Sequence, residues 1–440
     1  MPALREEVTM RSWVDHVIWW QVYPLGFLGA EKELASVRGE VNRLPRLRGW
    51  LDHLISWGGN GLLLGPIFTS TSHGYDTVDY FRIDPRLGDD ADFDRLVAAC
   101  RARGVRLLLD GVFNHAGRNF PPVAQALAEG PGSAAEEWVS KLYDTGGVIT
   151  ADYFEGHDNL ITLNHSSPRV QQLVRDVMLH WLRRGIDGWR LDAAYAVPAE
   201  FWAAVLPEVR REFPDAWFVG EMIHGDYVDY VKTAGLDSVT EYELWWAIWS
   251  SIDSINFHQL EWTLGRHARF VEHFLPLTFL GNHDVSRVAS QIRDQRHWSH
   301  AVALLCFLPG VPSVYYGDEF GLEATKENRP SGDDAVRPVM PDERGLFDHS
   351  HPEVEQAYRR MIGLRRRHPW LVDGVVTIEQ VDKARLVLRS RARHGQESLA
   401  LALNLGSTPL MLGDAAEVLE AQPAVAGGAV APHGWALVAG

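Results

Sequence analysis

Residues 105–115 read VRLLLDGVFNH, and this stretch decides how the rest of the chain is read. A short apolar run with strand character ends in a polar cluster that holds Asp110, Asn114 and His115. A carboxylate inside a buried strand is costly unless it is paired or placed at an open end. The pattern recurs on either side. HVIWWQVYP (16–24) and GNGLLLGPIF (59–68) precede it, and GWRLDAAY (188–195), WFVGEMI (217–223), SVTEYEL (238–244), PLTFLGNHD (276–284) and VPSVYYGDEF (311–320) follow. Between them run stretches such as DFDRLVAACRARG, SPRVQQLVRDVMLHWLRRG and PEVEQAYRRMIGLRRRHP, with apolar residues three and four apart, the spacing of an amphipathic helix. Eight strands alternating with helices predict an α/β fold, a closed (β/α)8 TIM barrel, ahead of an open doubly wound sheet.

The rhythm breaks twice. After the third strand, residues 116–166 are rich in Gly, Pro and acidic groups, and an interval that long inside a compact domain is functional or an inserted subdomain. From residue 371 the helical period stops, and ARLVLRSR, SLALALNL and GWALVAG suggest a small antiparallel β domain. The expected organisation is a barrel over 1–115 and 167–370, an insertion over 116–166 and a β unit over 371–440.

Composition narrows the partners. With 42 basic and 58 acidic residues the net charge is -16, which argues against nucleic acid or an anionic membrane and suits an uncharged substrate. No apolar run approaches the roughly 20 residues that span a bilayer. The first ten residues, MPALREEVTM, carry charges where a signal peptide needs an apolar core. Cys100 and Cys306 lie in apolar stretches and read as buried free thiols. A cytoplasmic protein is expected. The 17 tryptophans are read mainly as core, with a few free to stack on sugar rings.

Several strands end in chemistry: Asp110 to His115, Arg190 and Asp192, Glu221, then Asn282, His283 and Asp284. Each has a plain alternative. Arg190 and Asp192, two apart on one strand face, read alone as a structural ion pair. Glu221 alone reads as a solvated strand end, Asp284 as the cap of a helix beginning at Ser286, and Asp110 as a group that orders neighbouring loops. Their recurrence on separate strands outweighs these readings, because the C-terminal ends of barrel strands converge on one site. Two carboxylates across a glycosidic bond suit retaining hydrolysis at a separation of about 5–5.5 Å. One must stay ionised, helped by Arg190, and the other, Glu221, must hold a proton.

DGVFNH, GWRLDAA, VGEM and GNHD, in this order, resemble the four sequence regions of the α-amylase family, glycoside hydrolase family 13. SHGYDTVDYFRIDP (72–85) and YYGDEFG (315–321) add to the likeness, and TLNHSSPRV (162–170) resembles the family's weaker fifth region. The resemblance implies Asp192 as nucleophile, Glu221 as general acid/base and Asp284 as the third, transition-state-stabilising carboxylate. It implies that Tyr75, His115, Arg190 and His283 bind substrate or hold the nucleophile, supported by Asp76, Asp110 and Asn282. Residues 116–166 would be domain B, and residues from 371 the β-sandwich domain C.

Two departures matter. Many α-amylases hold calcium through the asparagine of the first region and a histidine four residues after the nucleophile; here Asn114 is kept, but the second position is Ala196. No metal and no other cofactor is therefore expected; calcium stays open to the fold but is not predicted. The motifs resemble the intracellular maltogenic and cyclomaltodextrin-hydrolysing branch, yet only about fifteen residues precede the first strand, so that branch's N-terminal domain is not expected, and a tryptophan common two residues after the acid/base is Ile223. The implied partner is a small neutral α-glucan oligosaccharide, α-1,4-linked, linear or cyclic, with no nucleic acid and no membrane; a homodimer is left open. An exo-acting α-glucosidase and a transglycosylase or isomerase share the same triad, and a non-catalytic binding subunit fits less well because all three carboxylates are present.

Overall fold

The computed structural model describes residues 13–39, 41–329, 331–347, 351–412, 417–425 and 428–439. Eight parallel strands form one sheet: β1 (Trp19–Val22), β2 (Gly61–Leu64), β3 (Arg106–Gly111), β4 (Gly188–Leu191), β5 (Trp217–Gly220), β6 (Ser238–Val239), β7 (Leu277–Phe279) and β8 (Val311–Tyr315). Their order is β6-β5-β4-β3-β2-β1-β8-β7. A parallel bridge between Thr240 and Leu277 joins the two ends, with the Glu241 N–H donating to the Leu277 carbonyl at 3.0 Å. The sheet is a closed barrel, and each strand falls within a stretch read from the sequence. The SVTEYEL stretch is shorter than read: only its first two residues are strand, and Tyr242 opens the helix Tyr242–Asp253. Tyr242, Trp245, Trp246 and Trp249 already recur three and four apart, so the helical period takes over two residues beyond Thr240.

Period-two alternation builds the interior. Trp19, Leu63, Leu108, Trp217, Val219, Leu277 and Val311 form a separate buried cluster that plugs the barrel floor, with Trp19 stacked on Trp217 at 5.8 Å. Two residues further along the same faces come Gln21, Asp110 and Glu221. One strand face is therefore apolar at the bottom and polar at the top. Register aligns the polar layer: Arg190 lies opposite Asp110 on β3 and Val219 on β5. Gly188 lets β4 approach β5 closely, since a Cβ there would lie 2.0 Å from the Trp217 carbonyl oxygen.

The surrounding helices start where local chemistry allows. Asp89 caps the helix Asp90–Ala102 in a reciprocal capping box with Asp92. Ser167 accepts from the Arg169 N–H at the start of Pro168–Arg183, whose proline occupies the first turn. The interval 116–166 holds the helix Pro121–Glu129, a hairpin of Leu142–Thr145 and Val148–Ala151, and a two-stranded pairing of His115–Gly117 with Leu160–Thr162. Toward the C-terminus, β9 (Val375–Val381), β10 (Arg385–Arg391), β11 (Ser398–Asn404), β12 (Val418–Gln422) and β13 (Gly434–Ala439) form an antiparallel sheet in the order β9-β10-β11-β13-β12. A two-stranded piece, Leu410–Met411 with Ala429–Val430, packs Leu410 and Val430 against Ala402 and Ala436 of that sheet. Cys100 and Cys306 are buried and unpaired with each other. Among the described residues no helix is long and apolar enough to cross a membrane.

Candidate active site

Arg190 is the hub of the polar layer. Its side chain is buried, and its two terminal nitrogens reach three carboxylates: Nη1 to Asp110 at 2.6 Å and to Asp192 at 3.2 Å, and Nη2 to Glu221 at 2.7 Å. The β4–β5 register, carried one residue past the strands, sets Asp192 beside Glu221; the Glu221 N–H donates to the Leu191 carbonyl at 2.9 Å. The spacing-based reading assigned Arg190 to Asp192, but its shorter contacts go to Asp110 and Glu221. The reason is geometric. Arg190 sits level with Asp110, while Asp192 lies one layer above.

Glu221 is fixed at both oxygens. Oε1 also accepts from the Tyr242 hydroxyl at 3.0 Å, and Oε2 accepts from the Ala193 N–H at 2.9 Å. Ala193 adopts a left-handed conformation (φ 46°, ψ 38°), which non-glycine residues rarely take and which directs that N–H. Asn282 donates to the Tyr242 hydroxyl at 2.8 Å, and its own carbonyl oxygen accepts from the Asp284 N–H at 2.8 Å. Asn282 thus couples Glu221's partner to Asp284.

Asp284 stands across the site, about one-third exposed. His283 Nε2 lies 2.9 Å from its Oδ2, and Arg337 Nη2 lies 2.9 Å from its Oδ1. Arg337 also donates to the His283 carbonyl at 2.9 Å, pairs with Asp333 at 2.9 Å and stacks over Tyr23. The Tyr75 hydroxyl bonds both His283 and Asp110, and its ring lies parallel to that of His283 at 5.5 Å. Asp284 does not cap a helix: Val288–Gln291 begins after Arg287, with no side-chain cap. Asp110 orders the Arg190 and Tyr75 side chains, where the sequence reading had neighbouring loops. Asp76 does not touch the three carboxylates; it accepts from the Ser72 N–H and hydroxyl and so braces the turn that carries Tyr75. His115 is buried, accepts at Nδ1 from the Asn114 side-chain amide (3.2 Å), and stacks on Phe154 at 4.8 Å.

Electrostatics divide these groups. Burial, and then the charge of Glu221, push the Asp192 carboxyl well up, against the pull of Arg190, so Arg190 does not by itself keep Asp192 ionised as the sequence expectation had it, and the proton burial favours there has to leave Asp192 before it can attack. Burial raises Asp110 as well, with Arg190 opposing. Asp284 goes the other way: its burial is outweighed by His283 and Arg337, which hold it below the usual carboxylate range. Burial, reinforced by His73, pushes His115 down to about 3, so it works as a neutral imidazole. Burial opposes the charge on Arg190, but Asp110 and Glu221 outweigh it and keep the guanidinium charged.

Gln21, Tyr23, Tyr242, Phe154 and Arg337 were missed in the sequence. Gln21 lies on a strand already identified, where inward alternation would have found it, whereas Tyr242 opens the helix that follows the short sixth strand. Arg337 lies in RPSGDDAVRPVM (329–340), which has no period to read. The rings at the site belong to Tyr, Phe and His, whereas eight tryptophan side chains, among them Trp19, Trp20 and Trp50, rank with the largest fully buried groups.

A search against family models matches residues 21–147 and 150–373 to the α-amylase catalytic domain. The chain belongs to the α-amylase family. This α-amylase-family chain is a glycosidase, similar to a cyclomaltodextrinase from Bacillus sp. (30% identity, covering 89% of this chain and 73% of that protein). It is likewise similar to the intracellular maltogenic amylase of Bacillus subtilis strain 168 (30% identity, 84% and 65%). Among solved structures, the cyclic α-maltosyl-(1→6)-maltose hydrolase of Arthrobacter globiformis superposes with a TM-score of 0.80 at 25% identity, covering 97% of this chain and 99% of that one.

The calcium of many family members finds a poor seat here. Asn114 offers one buried, unpaired oxygen, Oδ1, and Ala196 offers no side-chain ligand. Among the described residues the one group of three His, Cys, Asp or Glu side chains with metal-like spacing is Asp294, His297 and His433, which lies elsewhere, between the barrel and the C-terminal sheet. A calcium there would have to rest on Asn114 Oδ1 together with backbone oxygens and water, without the side-chain ligand that Ala196 replaces.

Proposed function

We propose that this chain hydrolyses α-1,4-linked malto-oligosaccharides, linear or cyclic, with retention of configuration through a covalent glycosyl-enzyme. The observation that carries this reading is the single guanidinium of Arg190 holding Asp192 and Glu221 side by side at the mouth of the barrel. Asp192 attacks the anomeric carbon while Glu221 protonates the leaving oxygen; Glu221 then takes a proton from water, which displaces Asp192. Asp284, held ionised by His283 and Arg337, binds hydroxyls of the ring in the cleavage subsite and stabilises its developing positive charge. Tyr75 and His283 form the floor under that ring, and His115 donates to it as a neutral imidazole. Residues 116–166 serve as the inserted domain B and residues 371–440 as domain C. The similarity to a cyclomaltodextrinase, an intracellular maltogenic amylase and a cyclic maltosyl-maltose hydrolase supports small cyclic or linear maltose-based substrates and an intracellular setting.

The test incubates wild type, Asp192→Asn and Glu221→Gln with maltotetraose, a cyclodextrin and cyclic maltosyl-maltose, with products resolved by chromatography and the first-formed anomer read by NMR. Release of the α anomer by wild type and loss of activity in both variants support the reading. Release of the β anomer, or trehalose or longer chains as main products, overturns it.

A further inference from the structure

Three consecutive residues after β6 divide their side chains between the site and the surrounding helices. Thr240 Oγ1 accepts from the Met222 N–H at 3.0 Å and so holds the residue that follows Glu221. The Tyr242 hydroxyl donates to Glu221 Oε1 at 3.0 Å. Glu241, between them, turns to the outer helix His258–Val271 instead, where its Oε2 lies 2.7 Å from Nδ1 of His267. Both side chains of this pair are buried, at 0% and 1% exposure. The mechanism proposed above uses neither.

A buried carboxylate and imidazole are costly to take out of water, so the pair needs a reason. Glu241 occupies the N-cap position of the helix Tyr242–Asp253, yet its side chain accepts no N–H from that helix, the usual use of a polar group there. Its second oxygen, Oε1, and the other ring nitrogen of His267, Nε2, are buried without a partner among the described residues. Glu241 and His267 therefore satisfy each other alone, and removing either leaves the other stranded. The backbone of Glu241 is pinned as well: its N–H donates to the Leu277 carbonyl at 3.0 Å, and its carbonyl accepts from the Trp245 N–H at 3.2 Å. The partly exposed Arg266–Glu243 ion pair already joins the same two helices, so joining them does not by itself require a buried pair. What distinguishes the buried pair is its place, one residue before Tyr242. A tyrosine hydroxyl ends a rigid arm, so a small turn of the backbone at Glu241 is magnified at Glu221 and at Asn282, which donates to the same hydroxyl at 2.8 Å.

We propose that Glu241, tied to His267, is a positioning residue that sets the Tyr242 hydroxyl and thereby aims Glu221 at the leaving oxygen. This rests on the glycosidase reading above. A group that transfers protons must be held within hydrogen-bond reach of its target, and a misplacement of about 1 Å costs about a hundredfold in rate.

The experiment compares Glu241→Gln, Glu241→Ala and the double variant Glu241→Leu/His267→Phe, each with and without Tyr242→Phe. One assay uses maltotetraose, which needs Glu221 as acid and as base. The other uses α-maltosyl fluoride with added azide, which needs neither: fluoride leaves as the anion while the ester to Asp192 forms, and azide then displaces Asp192 from the anomeric carbon. Glu241→Ala should lose about tenfold in kcat on maltotetraose, with KM within about twofold, and should lose little on the fluoride with azide. The double variant fills the space of the buried pair with apolar groups, which keeps the protein folded, and should show the same split. Glu241→Gln, whose amide oxygen still accepts from His267, should keep most of both activities. In the Tyr242→Phe background the changes at Glu241 should cost nothing further, because the contact they aim is already gone. Equal losses in the two assays would make the pair a prop for the fold. That result, a loss in Glu241→Gln as large as in Glu241→Ala, losses that multiply with Tyr242→Phe, or full kcat in the double variant would each overturn the proposal. Wild type inert in both assays would overturn the glycosidase reading itself, and this inference with it.

Discussion

Replacing Arg190 with methionine, which keeps length and loses charge, tests the hub of the site. The side chain is 3% exposed and reaches Asp110, Asp192 and Glu221, each within 3.2 Å. Removing one partner of a buried ion pair costs about 3–5 kcal/mol, and here three carboxylates lose the cation they share. The cost depends on pH, and its sign follows from the two raised acids. Asp110 and Asp192 have folded pKa values above their ordinary ones even with Arg190 present. Such a group holds its proton in the folded state over a range where the unfolded chain has released it. Its effect on stability is absent below the unfolded pKa, and stability then falls as pH rises toward the folded value. Without Arg190 the folded values move further up and the window widens. Urea unfolding of Arg190→Met should therefore show a deficit of about 4–5 kcal/mol at pH 8 that shrinks below about 3 kcal/mol at pH 5, where protons neutralise the cluster. Activity should be lost at both pH values. A deficit under about 1 kcal/mol, or one that grows as pH falls, would refute the argument.

Arg337→Ala removes a charge-assisted contact to Asp284, and kcat/KM on maltotetraose should fall by about tenfold or more, with the melting temperature lowered as well, because the same mostly buried guanidinium also holds Asp333, the His283 carbonyl and the Tyr23 ring. Ala193→Gly relieves a left-handed residue and should stabilise the protein by about 0.5–1 kcal/mol in urea unfolding, while kcat falls because the N–H that holds Glu221 is less fixed. His115, His297 and His300, pushed by burial down to about 3, 4 and 3, are neutral in the folded protein. The unfolded chain binds those protons first, so stability should fall as pH drops below about 6.5, by about 1.4 kcal/mol per pH unit for each histidine, until each folded value is reached; a flat profile between pH 6 and 4 would contradict this. Chelation should leave both activity and thermal unfolding unchanged if the Asn114 position holds no calcium.

The barrel was legible because its signal is simple: apolar runs of strand length, each ending in polar residues, separated by helical periods. The floor of the barrel and its reactive rim lie on the same strand faces two residues apart, so Leu108 predicts Asp110 and Val219 predicts Glu221 once the strand is recognised. The three carboxylates, Arg190 and His283 followed from that placement together with the family motifs. The insertion was legible as an interval but not as a structure, because the turn that brings Glu155 to Tyr195 depends on contacts about forty residues apart. Arg337 was invisible for a similar reason. It lies in an aperiodic loop, and only the fold brings that loop over Tyr23 and Asp284. The motif YYGDEFG was read through resemblance, and its physical reason appears only in the packed structure: Glu319 accepts from the Trp20 indole and bonds His53, while Asp318 pairs with Arg287. Both carboxylates hold the last strand to the first and to its neighbouring loops.

The partition of hydrogen bonds around Arg190 also bears on how the two carboxylates divide their work. Asp192 receives its Arg190 contact at 3.2 Å, the longest of the three, and stands one layer nearer the cleft. Glu221 accepts from Arg190, Tyr242 and Ala193, which occupy both oxygens. A group that protonates a leaving oxygen needs one oxygen free to carry the proton and aim it at the substrate. Oε1 is held by a cation and a hydroxyl, whereas Oε2 is held by a single backbone N–H, so in the proposed mechanism Oε2 is the oxygen that turns to the substrate. The Ala193 turn that restrains it follows directly on Asp192. In the proposed mechanism, attack by Asp192 and proton delivery by Glu221 are therefore linked through one strained residue, which is why Ala193→Gly is expected to gain stability and lose turnover together.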